Sequence, residues 1–100
     1  MIERHWKGIA KIHEADNYVK HLQTKTFPHL VGLTGFIKAS ILKRSVDQGV
    51  EFLVVTVWNS IDSIKAFAGE QVGVANVPPE VREMMVEFEP KATHYEVVGG

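Results

Sequence analysis

The longest apolar run in the sequence predicts a strand that is buried on both faces. It extends from Phe52 to Trp58, is apolar except for Thr56, and is rich in β-branched and aromatic residues. Because both alternating sets of side chains are apolar, each face of this strand needs a covering partner. We therefore expect it to lie in the interior of a sheet.

The residues directly after this strand predict an amphipathic helix. Asn59 and Ser60 carry side-chain oxygens that can accept hydrogen bonds from free backbone N–H groups, so either residue can cap a helix. Apolar residues then follow at helical spacing, namely Ile61, Ile64, Phe67 and Ala68. Gly69 is a suitable residue for the end of this helix. The buried strand is thus expected to lead directly into a helix that covers the sheet.

The first third of the chain predicts a strand followed by a helix. The stretch from Ile2 to Ile12 alternates, and Gly8 within it disfavours a helix. One side of this strand carries Ile2, Arg4, Trp6, Gly8, Ala10 and Ile12, and the other carries Glu3, His5, Lys7 and Ile9. From Glu14 to Phe27 the chain has a single apolar helical stripe, made of Ala15, Tyr18, Val19, Leu22 and Thr26. Pro28 disfavours helical geometry at Phe27, so the helix should fray or end there, with a connector from His29 to Gly35.

The remaining segments predict a hairpin, a short helix and a last strand. A second strand is predicted from Phe36 to Arg44. The polar turn from Ser45 to Gly49 is short enough to pair this strand with the central strand in antiparallel fashion. A helix is expected to begin at Pro78 and Pro79 and to end before Pro90. Its apolar face consists of Val81, Met84, Met85 and Phe88. The stretch from Ala92 to Val98 predicts the last strand.

The order of these elements predicts the fold class. This order is strand, helix, strand, strand, helix, short helix, strand. It corresponds to the ferredoxin-like plan, an α+β fold with a four-stranded antiparallel sheet and helices on one face. Residues 1–100 are expected to form one domain. Helices cover one face only, so three aliphatic side chains of the central strand need another partner. We expect a homodimer that packs sheet against sheet, worth roughly 5–9 kcal/mol before the costs of association.

Composition excludes several classes of function. The chain has 11 basic and 12 acidic residues in mixed order, so no basic stripe is present that would bind nucleic acid or an anionic membrane. It contains no cysteine, which excludes disulfides, a thiolate nucleophile and thiolate metal sites. The N-terminal residues lack the apolar core of a signal peptide, and no apolar run approaches ~18 residues. We expect a soluble, cytoplasmic protein.

The histidines are the first candidates for chemistry. Four of the five are spaced by eight residues, which does not stack them on a helix, and no His-x-x-x-His motif indicates a metal site. His5 and His94 lie on the first and last strands, which are neighbours in this fold, so they can approach each other or share a cavity. His29 lies where the first helix gives way to a loop. Each of the three is also compatible with an ordinary solvated surface position.

The aromatic residues are candidates for a cavity between sheet and helices. Trp6, Phe36, Phe52, Trp58 and Phe67 can either line such a cavity or simply fill a small core. The sequence contains no nucleophile elbow and no glycine-rich nucleotide-binding loop. The residues themselves thus predict a dimeric α+β domain with an apolar cavity, and they leave the reaction open.

Several motifs resemble the antibiotic biosynthesis monooxygenase family of dimeric α/β barrels. They are Val57-Trp58-Asn59-Ser60, Ala66-Phe67-Ala68-Gly69-Glu70, Gly35-Phe36, Val77-Pro78-Pro79-Glu80 and His94-Tyr95-Glu96-Val97-Val98. They are spread along the chain from residue 35 to residue 98. The resemblance implies a ferredoxin-like subunit that pairs sheet to sheet, in agreement with the burial argument.

The resemblance also implies an activity. Enzymes of this family oxidise aromatic polyketides or quinols with dioxygen and without metal or flavin, in a pocket between helices and sheet. The implied function is a cofactor-independent monooxygenase acting on a small aromatic or quinol-like molecule, with no cofactor. The candidates for proton transfer or for holding an enolate are His5, His29, His94 and Tyr95. The candidates for the substrate-binding wall are Trp6, Tyr18, Phe36 and Phe67.

Other functions on the same fold remain open. A related branch degrades haem with an Asn on the first strand, a Trp on the second helix and a His shortly after it. The first strand here has no Asn, Phe67 stands at the expected Trp, and Ala75 or Asn76 stands near the expected His. These departures disfavour haem degradation. Two alternatives remain. One is an isomerase with one proton-shuttling histidine, and the other is a non-catalytic dimeric module that binds a small apolar ligand.

Overall fold

The computed structural model of the protein describes all 100 residues, which form five strands and four α-helices. The strands are β1 (Ile2–Ala10), β2 (Phe36–Val46), β3 (Gly49–Trp58), β4 (Met85–Phe88) and β5 (Thr93–Glu96). The helices are α1 (Ala15–His21), α2 (Phe27–Val31), α3 (Ile61–Ala68) and α4 (Pro79–Met84). A 3₁₀ turn at Ile12–Glu14 precedes α1, and a π-helical turn at Leu22–Thr26 joins α1 to α2.

The five strands form one antiparallel sheet in the order β2, β3, β1, with β4 and β5 sharing the other edge of β1. β5 pairs with the first half of β1, from Ile2 to His5, and β4 pairs with its end, from Gly8 to Ala10. The predicted ferredoxin-like fold is confirmed. Its fourth strand position is occupied by two short strands in place of one.

The register of β1 against β3 decides which side chains share a face. Arg4 pairs with Thr56 and Trp6 with Val54, and these side chains face the helices. The alternate residues of β3, which are Leu53, Val55 and Val57, lie on the face without helices. The prediction that both faces of this strand are apolar is confirmed.

The predicted helix after β3 is confirmed, including both of its ends. The Oγ of Ser60 accepts a hydrogen bond from the backbone N–H of Ser63 at 3.2 Å, and the backbone N–H of Ser60 donates to the Oγ of Ser63 at 3.3 Å. This reciprocal pair forms a capping box. At the other end Gly69 adopts a positive φ of 83°, a conformation that favours glycine.

The prediction that the first helix ends at Phe27 is wrong. The helical conformation continues through Pro28 to Val31, so the first part of the expected connector is helical. A regular α-helix would place the proline ring against the carbonyl four residues earlier. The π-helical turn avoids this clash, because the Phe27 N–H donates to the Leu22 carbonyl five residues back. None of the helices has the length and apolar character needed to cross a bilayer.

The predicted helix at Pro78 begins as expected but ends earlier. α4 stops at Met84, and Met85 to Phe88 form strand β4 in place of a further helical turn. The free edge of β1 explains the difference, since its backbone groups near Ala10 need partners. The Lys11 N–H donates to the Met84 carbonyl at 2.9 Å, which brings the chain onto that edge. The last strand is also shorter than the predicted Ala92–Val98.

Candidate functional site

The core between the helices and the sheet is divided into two clusters. The first contains Ala10, Ala15, Tyr18, Leu22, Phe52, Val77, Val81 and Met85. The second contains Leu30, Trp58, Ile64 and Ala68. Phe27 packs against both clusters, and between them the core does not close.

The gap between the clusters is a cavity of about 200 Å³. Its origin lies in the pattern of β3. The helix-facing residues at the two ends of this strand segment are the large Phe52 and Trp58, which are fully buried. Between them lie the smaller Val54 and Thr56, which form the floor of the cavity. Side chains of this size cannot fill the space between two aromatic anchors, so the space stays open.

Helices and a loop form the walls of the cavity. One wall comes from the segment that includes α1, the π-helical turn and α2, and it consists of Tyr18, His21, Leu22, Thr26, Phe27 and Leu30. Phe67 and Ala68 of α3 form another wall. The loop before α4 and α4 itself contribute Ala75, Asn76, Val77, Pro78 and Val81. Eleven of the 17 lining residues are hydrophobic, so an apolar ligand is favoured.

Trp6 forms the side of the cavity that rests on β1. Its indole ring lies against Gly8, where a Cβ atom would stand 2.8 Å from the ring. The indole Nε1 donates to the backbone carbonyl of Glu89 at 2.8 Å, which fixes the ring in place. The rings of Trp6 and Tyr18 are 6.3 Å apart, so two aromatic side chains meet at this wall.

Arg4 is the charged residue in the cavity wall. Its side chain lies on β1 opposite Thr56, and the residue is only 6 % exposed. Its Nη2 is 3.5 Å from the Val74 carbonyl, and its Nε has no hydrogen-bond partner. The guanidinium carbon lies 5.6 Å from the centre of the Phe67 ring. Burial lowers the pKa of Arg4, but its ordinary value is so high that the group keeps its charge.

Tyr18 and His21 lie one helical turn apart on the wall of the cavity. Burial strongly raises the pKa of Tyr18, so the side chain is a neutral phenol that can donate a hydrogen bond. The imidazole of His21 is also well buried, and its Nδ1 lies 3.7 Å from the Oε1 of Glu80. The cavity therefore combines a cation, a phenol and an imidazole with apolar walls.

The predicted candidates His5 and Tyr95 lie on the face of the sheet without helices. The Nε2 of His5 is 2.6 Å from the Oε1 of Glu3, and the rings of His5 and Tyr95 are 5.0 Å apart. The two residues are therefore together, but on the opposite side of the sheet from the cavity. His29 is exposed on α2, away from both.

His94 faces the helix side of the sheet, beside Arg4, with which it pairs across β1 and β5. His5 pairs with Thr93 in the same register, so His5 and His94 point to opposite faces and do not meet. The Nε2 of His94 is buried and has no hydrogen-bond partner. Burial, and then the charge of Arg4, lower the pKa of His94, which keeps it neutral near pH 7.

Three of the four predicted wall residues line the cavity, namely Trp6, Tyr18 and Phe67. Phe36 lies outside it and packs edge-on against Trp58, with the ring centres 5.3 Å apart. Sequence reasoning missed Arg4 and His21 as lining residues. A signal for each was present, because Arg4 shares the alternation of Trp6 and His21 lies three residues after Tyr18.

The fold is shared with a protein of known structure. The chain superimposes on the crystal structure of a Bacillus cereus protein described as a "putative antibiotic biosynthesis monooxygenase", with a TM-score of 0.70. The match covers 100 % of this chain and 94 % of the other, at 17 % sequence identity, so it shows the common fold. No family model and no curated protein matches the sequence.

Proposed function

We propose that the cavity is the active site of a cofactor-independent monooxygenase that acts on a small aromatic or quinol-like molecule. The observation that carries this proposal is the cavity itself, which is apolar, lies between helices and sheet, and holds Tyr18 and His21. The resemblance of the sequence motifs to the antibiotic biosynthesis monooxygenases, and the shared fold, support the same reaction class.

The size of the cavity restricts the substrate. Sites for drug-sized ligands commonly measure roughly 300–1,000 Å³, whereas this cavity measures about 200 Å³. A molecule with one or two rings fits this volume better than a large polycyclic one. A two-ring quinol is therefore the substrate class that we favour.

The substrate supplies all of the electrons in this reaction. One dioxygen molecule adds one oxygen atom to a ring carbon of the quinol as a hydroxyl group, and the other oxygen atom leaves as water. The quinol ring ends as a hydroxyquinone, so four electrons pass from the substrate to dioxygen. Removal of a proton from the quinol makes the ring electron-rich enough to react, and the protein has to accept that proton.

His21 is the residue proposed to accept the proton. Its Nδ1 faces the carboxylate of Glu80, at 3.7 Å from Oε1, which leaves Nε2 for the substrate. Tyr18, a neutral phenol on the same wall, donates a hydrogen bond to an oxygen of the substrate or of dioxygen. The apolar walls reduce the contact of the reactive carbanion with water.

Oxygen uptake in the presence of 1,4-dihydroxynaphthalene tests this proposal. We expect consumption of dioxygen above the protein-free rate and a 2-hydroxy-1,4-naphthoquinone product that carries one atom from labelled dioxygen. His21→Ala should lose most of this activity, and His29→Ala, which changes an exposed histidine, should keep it. Uptake that equals the protein-free rate would overturn the proposal. Binding without uptake would identify a ligand-binding module.

The face of the sheet without helices is the proposed surface of a homodimer. Its aliphatic part consists of Leu53 and Val55, which are partly exposed in one chain, and of the exposed Leu42 on β2, and it is bordered by His5 and Lys7 of β1. Arg44 and Glu51 form a two-contact ion pair at 2.9 and 3.2 Å at the edge of this patch. An apolar centre with a charged rim is typical of a protein–protein interface.

A further inference from the structure

The cavity has one permanent charge, and it is positive. Among its lining residues Arg4 is the only lysine or arginine, and no aspartate or glutamate is present. Tyr18 is a neutral phenol, and the other lining residue that can ionise, His21, can add only positive charge. The electrostatic field inside the cavity therefore favours a negative group in the ligand.

Arg4 has no partner that balances this charge. No carboxylate lies within 4.0 Å of its guanidinium group, its Nε is unpaired, and its single hydrogen bond is a long one of 3.5 Å. The residue is 94 % buried, from its exposure of 6 %. Burial of an unpaired cation is costly, and the nearby Phe67 ring compensates for only a small part of that cost.

The surroundings of Arg4 do not offer an anion from elsewhere in the chain. His94 lies beside it on β5, and an imidazole that is neutral near pH 7 supplies no negative charge. Its unpaired Nε2 is a second buried polar atom without a partner at the same place. Two unsatisfied polar groups next to a mostly apolar cavity are typical of a site that a ligand completes.

We infer that Arg4 binds an oxyanion carried by an aromatic ligand, either a carboxylate or a phenolate on the ring. The planar guanidinium suits both groups, because each places an oxygen in the plane of the ring. This inference rests on the proposed function, which makes the cavity the active site. It specifies the substrate as an aromatic acid or an ionised quinol. In the proposed reaction, Arg4 stabilises the phenolate that forms when the quinol loses its proton.

Two binding experiments at pH 7 test the inference, one for each anion. Isothermal titration calorimetry tests the carboxylate, and absorption spectroscopy tests the phenolate. 2-Naphthoate and 2-naphthamide share the ring and differ in charge, and we expect the acid to bind at least about tenfold more tightly. 4-Nitrophenol tests the phenolate, because its absorption shows its protonation state. We expect its apparent pKa to fall on binding. Preference for one anion alone identifies that group, and preference for neither overturns the inference.

Variants of Arg4 assign the preference to this residue. Arg4→Met should bind the acid and the amide about equally, and Arg4→Lys should keep part of the preference. Lys11→Gln changes the net charge by the same amount at an exposed position outside the cavity, and it should bind as the unmodified protein does. A full preference in Arg4→Met would refute the inference. If Arg4→Met does not fold, Arg4→Gln replaces it in the same comparison.

The results distinguish this inference from the proposed function. Absence of oxygen uptake with 1,4-dihydroxynaphthalene, together with a charge preference that depends on Arg4, would reject the oxygenase and keep the anion site. Oxygen uptake without any charge preference would keep the oxygenase and reject the anion site.

Discussion

The indole ring of Trp6 lies against the backbone of Gly8, two residues further along the same face of β1. A Cβ atom on Gly8 would stand 2.8 Å from Cη2 of Trp6 and 3.1 Å from the sulfur of Met85. The absence of a side chain at position 8 thus decides where a cavity wall stands. The indole is also held by its hydrogen bond to the Glu89 carbonyl, so it has little freedom to move away.

Gly8→Ala is expected to disturb both stability and ligand binding. The added methyl group pushes the indole toward the cavity, with an expected loss of about 1–3 kcal/mol in the free energy of unfolding. Denaturant titration followed by tryptophan fluorescence measures this loss. Gly73→Ala is the matched control, since a Cβ there meets nothing within 4 Å. Equal stability of the two variants would show that the Trp6 ring is not constrained by Gly8.

Val54→Phe is expected to fill the cavity and abolish binding of 2-naphthamide. The larger ring enters existing empty space at the floor, so the free energy of unfolding should change by less than about 1.5 kcal/mol. Calorimetric titration measures the binding. Val86→Phe, at an exposed position on β4, should bind as the unmodified protein does. Undiminished binding in Val54→Phe would place the ligand outside this cavity.

His94→Gln is expected to reduce the dependence of stability on pH. The pKa of His94 is lower in the folded chain than its ordinary value of 6.5. Below pH 6.5 the unfolded chain therefore takes up a proton that the folded chain resists, so the free energy of unfolding falls as the pH falls. The variant should lose this component. Denaturant titrations at several pH values between about 7.5 and 5 measure it, since this range brackets the ordinary pKa of histidine.

The comparison for this prediction is His29→Gln, which changes an exposed histidine. His94→Gln should lose more of the pH dependence of stability than His29→Gln does. Equal pH dependence in the two variants would mean that His94 titrates alike in the folded and unfolded chains.

Val55→Asp is expected to prevent homodimer formation. Val55 lies in the middle of the face without helices, and two carboxylates would be buried where the two sheets meet. Light scattering at micromolar concentration should give a dimer for the unmodified protein and a monomer for the variant. Val31→Asp, at an exposed position on α2 on the other side of the sheet, should remain a dimer. A monomeric unmodified protein would refute the proposed interface.

The parts of the fold that depend on local pattern could be predicted from the sequence. The apolar run of β3 and the Ser60 cap predicted a strand that ends at Trp58 and a helix from Ile61 to Ala68, as in the structure, although the strand begins three residues earlier than predicted, at Gly49. The segment from Met85 to Phe88 could not be predicted this way, because its apolar spacing also suits a helix. The free backbone groups at the edge of β1 decide its conformation, and that edge is distant in the sequence.

The candidate site was predicted only in part, for a similar reason. Trp6, Tyr18 and Phe67 were identified as wall residues by their aromatic character, and they line the cavity. The role of Arg4 depends on which face of β1 the helices cover and on the lack of a nearby carboxylate. Both are properties of the assembled sheet. The alternation of polar and apolar residues in one strand does not predict them.

The π-helical turn at Leu22–Thr26 makes this helical segment one residue longer than a regular helix along the same path. The extra residue rotates everything after it, so that Leu30 is buried and His29 stays in solvent. A homologue without this residue would need an unbroken α-helix here, and Pro28 would clash with such a helix. The insertion and the proline should therefore be gained or lost together in evolution, and an alignment gap inside this helix should mark homologues that lack the proline.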